Sequence, residues 1–228
     1  MRLLRGLGLS CALALLGPVP AHALTLDFGL NFEFSGAAEP ASPTTPWVTV
    51  SIDDSVPGAD TVRITITNVN LSVGEFTSRV YLNFDPLLDP TQLSVSDVDT
   101  SAISGLGNLT FNTGVDSFKA DGDGFFDIFF DLPPPPGNAK FGLGETLIVD
   151  LTYALGPISA ASFDFTSAPG GGTGTYGAAA HVQGIANPSF PGFDSGWIGE
   201  GLPPVPEPGT PLLMLAAAAL VAGLRRRP

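Results

Sequence analysis

Apolar and polar residues alternate with a period of two along much of this chain, the mark of strands with one buried face. Leu24, Leu26, Phe28, Leu30, Phe32 and Phe34 fall on one side of residues 24–34, while Thr25, Asp27, Gly29, Asn31 and Glu33 fall on the other. Val48, Val50 and Ile52 repeat the pattern in 47–52, and Val62, Ile64 and Ile66 repeat it in 61–67. Further strands are expected at 76–84, 92–95, 109–112, 146–153, 162–166 and 177–185. Residues 125–131 are so dense in phenylalanine that they predict a strand buried on both faces. Glycine and proline punctuate nearly every gap. Four prolines at 133–136 form either a stiff loop or a polyproline segment for a partner. Residues 192–201 read as a loop around Trp197. No long helical period appears between residues 24 and 202, so the chain predicts one all-β domain there. Its hairpin spacing points to an antiparallel β-sandwich or jelly roll of about nine to eleven strands.

The two ends break this pattern. Residues 1–23 carry Arg2 and Arg5, an apolar run over 7–16, and Ala21-His22-Ala23 as a small-x-small cleavage site. They read as a secretory signal peptide cut after Ala23. At the other end, residues 203–211 form a proline-rich stem that contains Pro206, Glu207 and Pro208. Residues 212–224 are apolar all round, so they do not suit the surface of a soluble core. As a helix they span roughly 20 Å, short of a ~30 Å hydrocarbon core. Arg225, Arg226 and Arg227 follow in the basic tail 225–228 and favour the cytoplasmic side. A short transmembrane helix pinned by arginines suits a temporary stay in the inner membrane.

Composition narrows the partners. Cys11 is the only cysteine and leaves with the signal peptide, so the mature domain has no disulfide and no thiolate site. That domain keeps Arg63, Arg79, Lys119 and Lys140 against 21 Asp and Glu, a formal charge of −17. Such acidity excludes nucleic acid as a partner, because phosphate binding needs a basic face. Cations, cationic surfaces and neutral polysaccharide remain, or the charge serves solubility only.

The tail resembles the PEP-CTERM sorting signal of Gram-negative bacteria: Pro206-Glu207-Pro208, a short apolar helix and a terminal arginine cluster, in that order. The resemblance implies recognition by an exosortase, an integral-membrane cysteine protease. It also implies an inner-membrane-anchored precursor, then release to the cell surface or the extracellular exopolysaccharide matrix. Several short stretches resemble a recurring type of exported β-domain with the same tail, among them 81–86, 121–124, 181–184 and 195–198. That second resemblance carries no established activity with it.

Candidate chemistry is sparse. Asp121, Asp123 and Asp127, with glycines between the first two and after the second, resemble the start of an extracellular calcium loop. Phe125 stands where a further aspartate belongs, and Asp116 or Asp131 would have to complete the shell; the alternative is a plain hairpin turn. His181 is the only histidine after signal cleavage, and no Gly-x-Ser-x-Gly elbow accompanies it. Trp47 and Trp197 are either sugar-stacking platforms or core residues. No pair of carboxylates stands out as a glycosidase pair. The expectation is a non-enzymatic structural or adhesive protein of the cell surface without a cofactor, apart from the possible calcium. A secreted carbohydrate-binding protein or carbohydrate-active enzyme is the alternative.

Overall fold

A computed structural model describes residues 24–35, 45–56, 58–101, 109–132, 140–172, 174–186 and 193–200. Ten strands run through them: β1 (Thr25–Ser35), β2 (Val48–Asp53), β3 (Thr61–Asn68), β4 (Phe76–Leu82), β5 (Leu93–Asp99), β6 (Thr110–Lys119), β7 (Phe125–Asp131), β8 (Thr146–Tyr153), β9 (Ala178–Ala186) and β10 (Phe193–Glu200). All pairings are antiparallel, and the strands form one sheet in the order β5-β8-β3-β2-β1-β10-β9-β4-β7-β6. The two outermost strands, β5 and β6, are not paired with each other. The short 3-10 turn Pro90–Gln92 that leads into β5 lies against β6, so the sheet is nearly closed.

Alternation explains why the sheet curls. Val50, Ile66 and Leu147 stand in one cross-strand row, and Ile52, Ile64 and Val149 in another. All six are fully buried. β-Branched side chains suit such a pleated surface, and each buried aliphatic side chain contributes about 1.5–3 kcal/mol. Phe28, Val80, Ile128, Val182 and Ile198 join the same cluster from the other half of the sheet, and Leu93 and Phe111 join it from the two edges. Every strand therefore turns one face to one core. The two halves oppose each other across it as in a sandwich, although the hydrogen bonding runs unbroken through all ten strands.

Four local expectations need correction. Residues 193–200 form strand β10 and not a loop: Trp197 pairs with His181, and Ile198 pairs with Ala180. Residues 162–166 are not a strand. The chain makes a 3-10 turn at Ala160–Phe163, Phe163 enters the core, and the buried Asn83 amide donates to the carbonyls of Phe165, Tyr176 and Gly177. A side chain thus takes the place of a sheet partner. In β1 two register shifts, between Leu30 and Phe32 and between Glu33 and Ser35, change the phase of the alternation. Phe28 and Leu30 enter the main core, but Phe34 leaves it to stack on Tyr176 with centroids 4.5 Å apart. Finally, β7 alternates fully buried with half-buried positions and is not closed over on both faces. The proline run at 133–136 lies outside the described residues.

Candidate functional site

A second cluster sits apart from the main core. Tyr81 of β4, Ala179 of β9, Trp197 of β10 and Phe126 of β7 are buried there, with Tyr176, Ala120 and the half-buried Phe34, Phe118 and Phe129 around them. Tyr81 stacks on Trp197 at 5.1 Å and meets Phe129 edge-on at 4.8 Å. Strands β4 and β10 flank β9, so two strand spacings, roughly 9–10 Å, separate their backbones. The rings meet because the residue paired with Tyr81 on the intervening strand is only an alanine, Ala179.

Beside these rings the sheet carries a polar network made by a β-bulge. Thr77 pairs with Val182 and Arg79 with His181, which leaves Ser78 as the extra residue on β4. A bulge re-aims a side chain. Here it brings the Ser78 hydroxyl 2.9 Å from Nδ1 of His181, and the Gln183 amide donates to the same hydroxyl at 2.9 Å. The imidazole stacks on Trp197 at 4.7 Å. Burial, and then the positive charge of Arg79, hold the His181 pKa down to about 4. The ring is therefore neutral near pH 7, and its neighbours assign the proton to Nε2, with Nδ1 accepting. Ser78 is only 2% exposed, so its oxygen does not face a substrate.

Gln183 also borders a cleft of about 390 Å³. Its base is two glycines in left-handed conformations, Gly74 (φ +98°) and Gly184 (φ +76°). Gly184 is the extra residue of a second bulge, opposite Asp194 and Ser195. A side chain there would bring its Cβ within 2.4 Å of the Gly74 carbonyl oxygen, so the two backbones approach this closely only because the residue is glycine. Phe76, Lys140, Asp194 and Ser195 complete the walls. The Lys140 ammonium lies 4.3 Å from the centre of the Phe76 ring, a cation–π contact that fixes its position.

The aspartates of the expected calcium loop separate. Residues 120–124 are the tip of the β6–β7 hairpin, closed by the Asp123 N–H to the Ala120 carbonyl at 3.0 Å. Asp121 accepts from the Ser35 hydroxyl, and Asp123 accepts from Gly174 N–H at 3.3 Å. Asp127 accepts from the backbone N–H groups of Phe84 (3.0 Å) and Asp116 (2.8 Å), and burial raises its pKa. Among the described residues no three His, Cys, Asp or Glu side chains are placed to hold a metal ion. Asp131 lies 3.6 Å from Arg79 and faces elsewhere. The hairpin tip instead receives the glycine loop at 169–172: Phe125 and Ala168 exchange hydrogen bonds of 2.8 and 2.9 Å, and a Cβ on Gly170 would fall 2.3 Å from the Gly124 nitrogen.

Trp47 and Trp197 are both buried, at 2% and 8% exposure, so neither is an open platform for a sugar ring. His181 stood out in the sequence as the lone histidine; Gln183 did not, although its i, i+2 relation to His181 within a strand was the signal that could have found it. Ser78, Lys140 and Asp194 carried no such signal, since bulges and loop closures bring them in. The cleavage residues Ala21 and Ala23, the motif Pro206, Glu207 and Pro208, the expected membrane helix 212–224 and the arginines 225–227 lie outside the described residues. Among the described residues no helix is long and apolar enough to cross a membrane.

Comparison with known proteins addresses only the tail. No curated protein and no solved structure matches the chain. Residues 204–227 match the family model of the PEP-CTERM protein-sorting motif. The chain therefore carries a PEP-CTERM signal, which marks it as a substrate of exosortase, a membrane protease, exported and held transiently at the membrane before release at the surface.

Proposed function

We propose that this protein is a precursor whose mature β-domain becomes a non-enzymatic structural or adhesive component of the cell surface or the exopolysaccharide matrix. The sorting motif at 204–227 carries the reading. Two features of the domain support it. Each of the four cationic side chains left after processing has a partner within the domain. Arg63 forms a two-pronged pair with Asp150, Arg79 lies beside Asp131 and over Phe129, and Lys119 and Lys140 sit over Phe125 and Phe76. The acidic excess thus goes uncompensated, which favours solubility and keeps the domain off anionic surfaces. The Ser78–His181 contact is half-buried, with Ser78 only 2% exposed, and its histidine is a weak base, which favours a role in the fold over one in hydrolysis.

The test is intact-mass analysis of the protein recovered outside the cell. The expected species begins at Leu24 and lacks the arginine-ended helix. Recovery of only full-length tails, in a host with an active exosortase, would overturn the sorting reading. A carbohydrate-binding role is favoured by a separate observation, the cleft beside Gln183.

A further inference from the structure

We infer that the cleft between Phe76, Lys140, Gln183 and Asp194 binds a short stretch of neutral polysaccharide. This deepens the surface reading above and rests on it only for the kind of ligand the protein meets.

A cavity of about 390 Å³ falls in the range of small-ligand sites, about 300–1,000 Å³. It is constructed: two left-handed glycines and a bulge at Gly184 hold its base, and a side chain at Gly184 would collide with the Gly74 carbonyl.

Among the described residues one ammonium, Lys140, and one carboxylate, Asp194, line the same space, and Asp194 Oδ1 also accepts from the Ser195 N–H at 2.8 Å. An anionic ligand meets the carboxylate, and a cationic one meets the ammonium. A neutral ligand that carries both donors and acceptors satisfies both. Vicinal hydroxyl groups are such a ligand, and they also match the carboxamide of Gln183 and the hydroxyl of Ser195. A free amino acid would match the two charges and leave these neutral groups unmatched.

Gln183 donates to Ser78, which contacts His181, which stacks on Trp197. Its amide group is therefore oriented before any ligand arrives, and Lys140 is held over the Phe76 ring. Pre-orientation lowers the entropy cost of binding. Among the described residues one carboxylate lines the wall, whereas a glycosidase needs two, which favours binding over cleavage.

The experiment is calorimetric titration of the exported protein, purified with the C-terminus that the cell leaves on it. The probes are cellohexaose, maltohexaose and xylohexaose, with an alginate hexamer and glycine as charged comparisons. At least one neutral hexamer is expected to bind in the micromolar to millimolar range. Lys140→Ala is expected to weaken it about tenfold, the share of one hydrogen bond to a charged group. Ser195→Ala, which leaves the backbone pairing with Gln183 in place, is expected to weaken it less, and Arg63→Ala on the far half of the sheet is expected to leave it unchanged. Silence from every neutral hexamer, preference for alginate or glycine, or binding that Lys140→Ala and Ser195→Ala leave untouched would each overturn the inference. None of these outcomes bears on tail processing, which the mass measurement reads independently.

Discussion

The two halves of the sheet share one core but differ in what they show outside. On β3 and β8 the outward residues are polar and paired across strands. Arg63 grips Asp150 at 2.8 and 3.0 Å, Thr61 meets Thr152 at 3.0 Å, and Thr67 meets Thr146 at 3.1 Å. That face needs no cover. On β4, β7, β9 and β10 the outward residues include Tyr81, Phe129, His181 and Trp197, which gather a second buried cluster. A site in such a fold arises where the outer face is aromatic. An inward alternation builds the core everywhere, whereas outward aromatic residues recruit loops. Those loops and the bulges under them create the network at Ser78 and the cleft beside it.

The sharpest way to break this contrast is to remove the ring at its centre. Trp197→Ala is expected to cost about 3–5 kcal/mol, read as a lower urea midpoint at unchanged slope. A cost under about 1 kcal/mol would mean that the second cluster is an ornament of the first. Filling the gap should also hurt: Ala179→Leu places a larger side chain under the Tyr81–Trp197 stack and is expected to cost about 1–3 kcal/mol. If the variant is as stable as the parent, the rings do not depend on a small residue between their strands.

Acid should act on the aromatic half through its one histidine. His181 stays neutral in the fold down to about pH 4 but takes up a proton near pH 6.5 when unfolded. Between those values the unfolded chain binds the extra proton, so its contribution to stability falls as pH drops from about 6.5 to about 4 and is complete above that window. Asp127 and Glu200, both raised by burial, act with the opposite sign. The difference between the parent and His181→Gln across this range isolates the histidine, and parallel curves would show that it is not desolvated. The smallest effect belongs to the polar half. Arg63→Ala is expected to cost at most about 1 kcal/mol, because water screens a pair this exposed. A larger loss would mean that this face is organised by its ion pair and not by the core beneath it.

Legibility in the sequence followed the same division. Strands β2, β3 and β8 could be read almost to the residue, because a strict period of two has one solution when only one face is buried. Strand β10 could not. Its Phe-Asp-Ser-Gly-Trp-Ile-Gly-Glu run has glycines where strands are weak, and only β1 and β9 on either side hold it extended. The reverse held at 162–166, where alternation promised a strand but Asn83, about eighty residues earlier in the chain, took the carbonyls. The aspartates at 121, 123 and 127 looked like one site because they are close in sequence. A hairpin tip and the shift from turn to strand send them to different partners.

Local pattern and composition carried the class of fold, the acidic charge, the confinement of cysteine to position 11 and the sorting signal. Three-dimensional pairing was needed to show that all ten strands join one curled sheet, that Ser78 stands beside His181, and that Lys140 and Asp194 line one cleft. Those facts come from pairings across long stretches of chain and from bulges one residue wide. A one-residue shift reverses the face a side chain occupies, and no local pattern records where such a shift will fall.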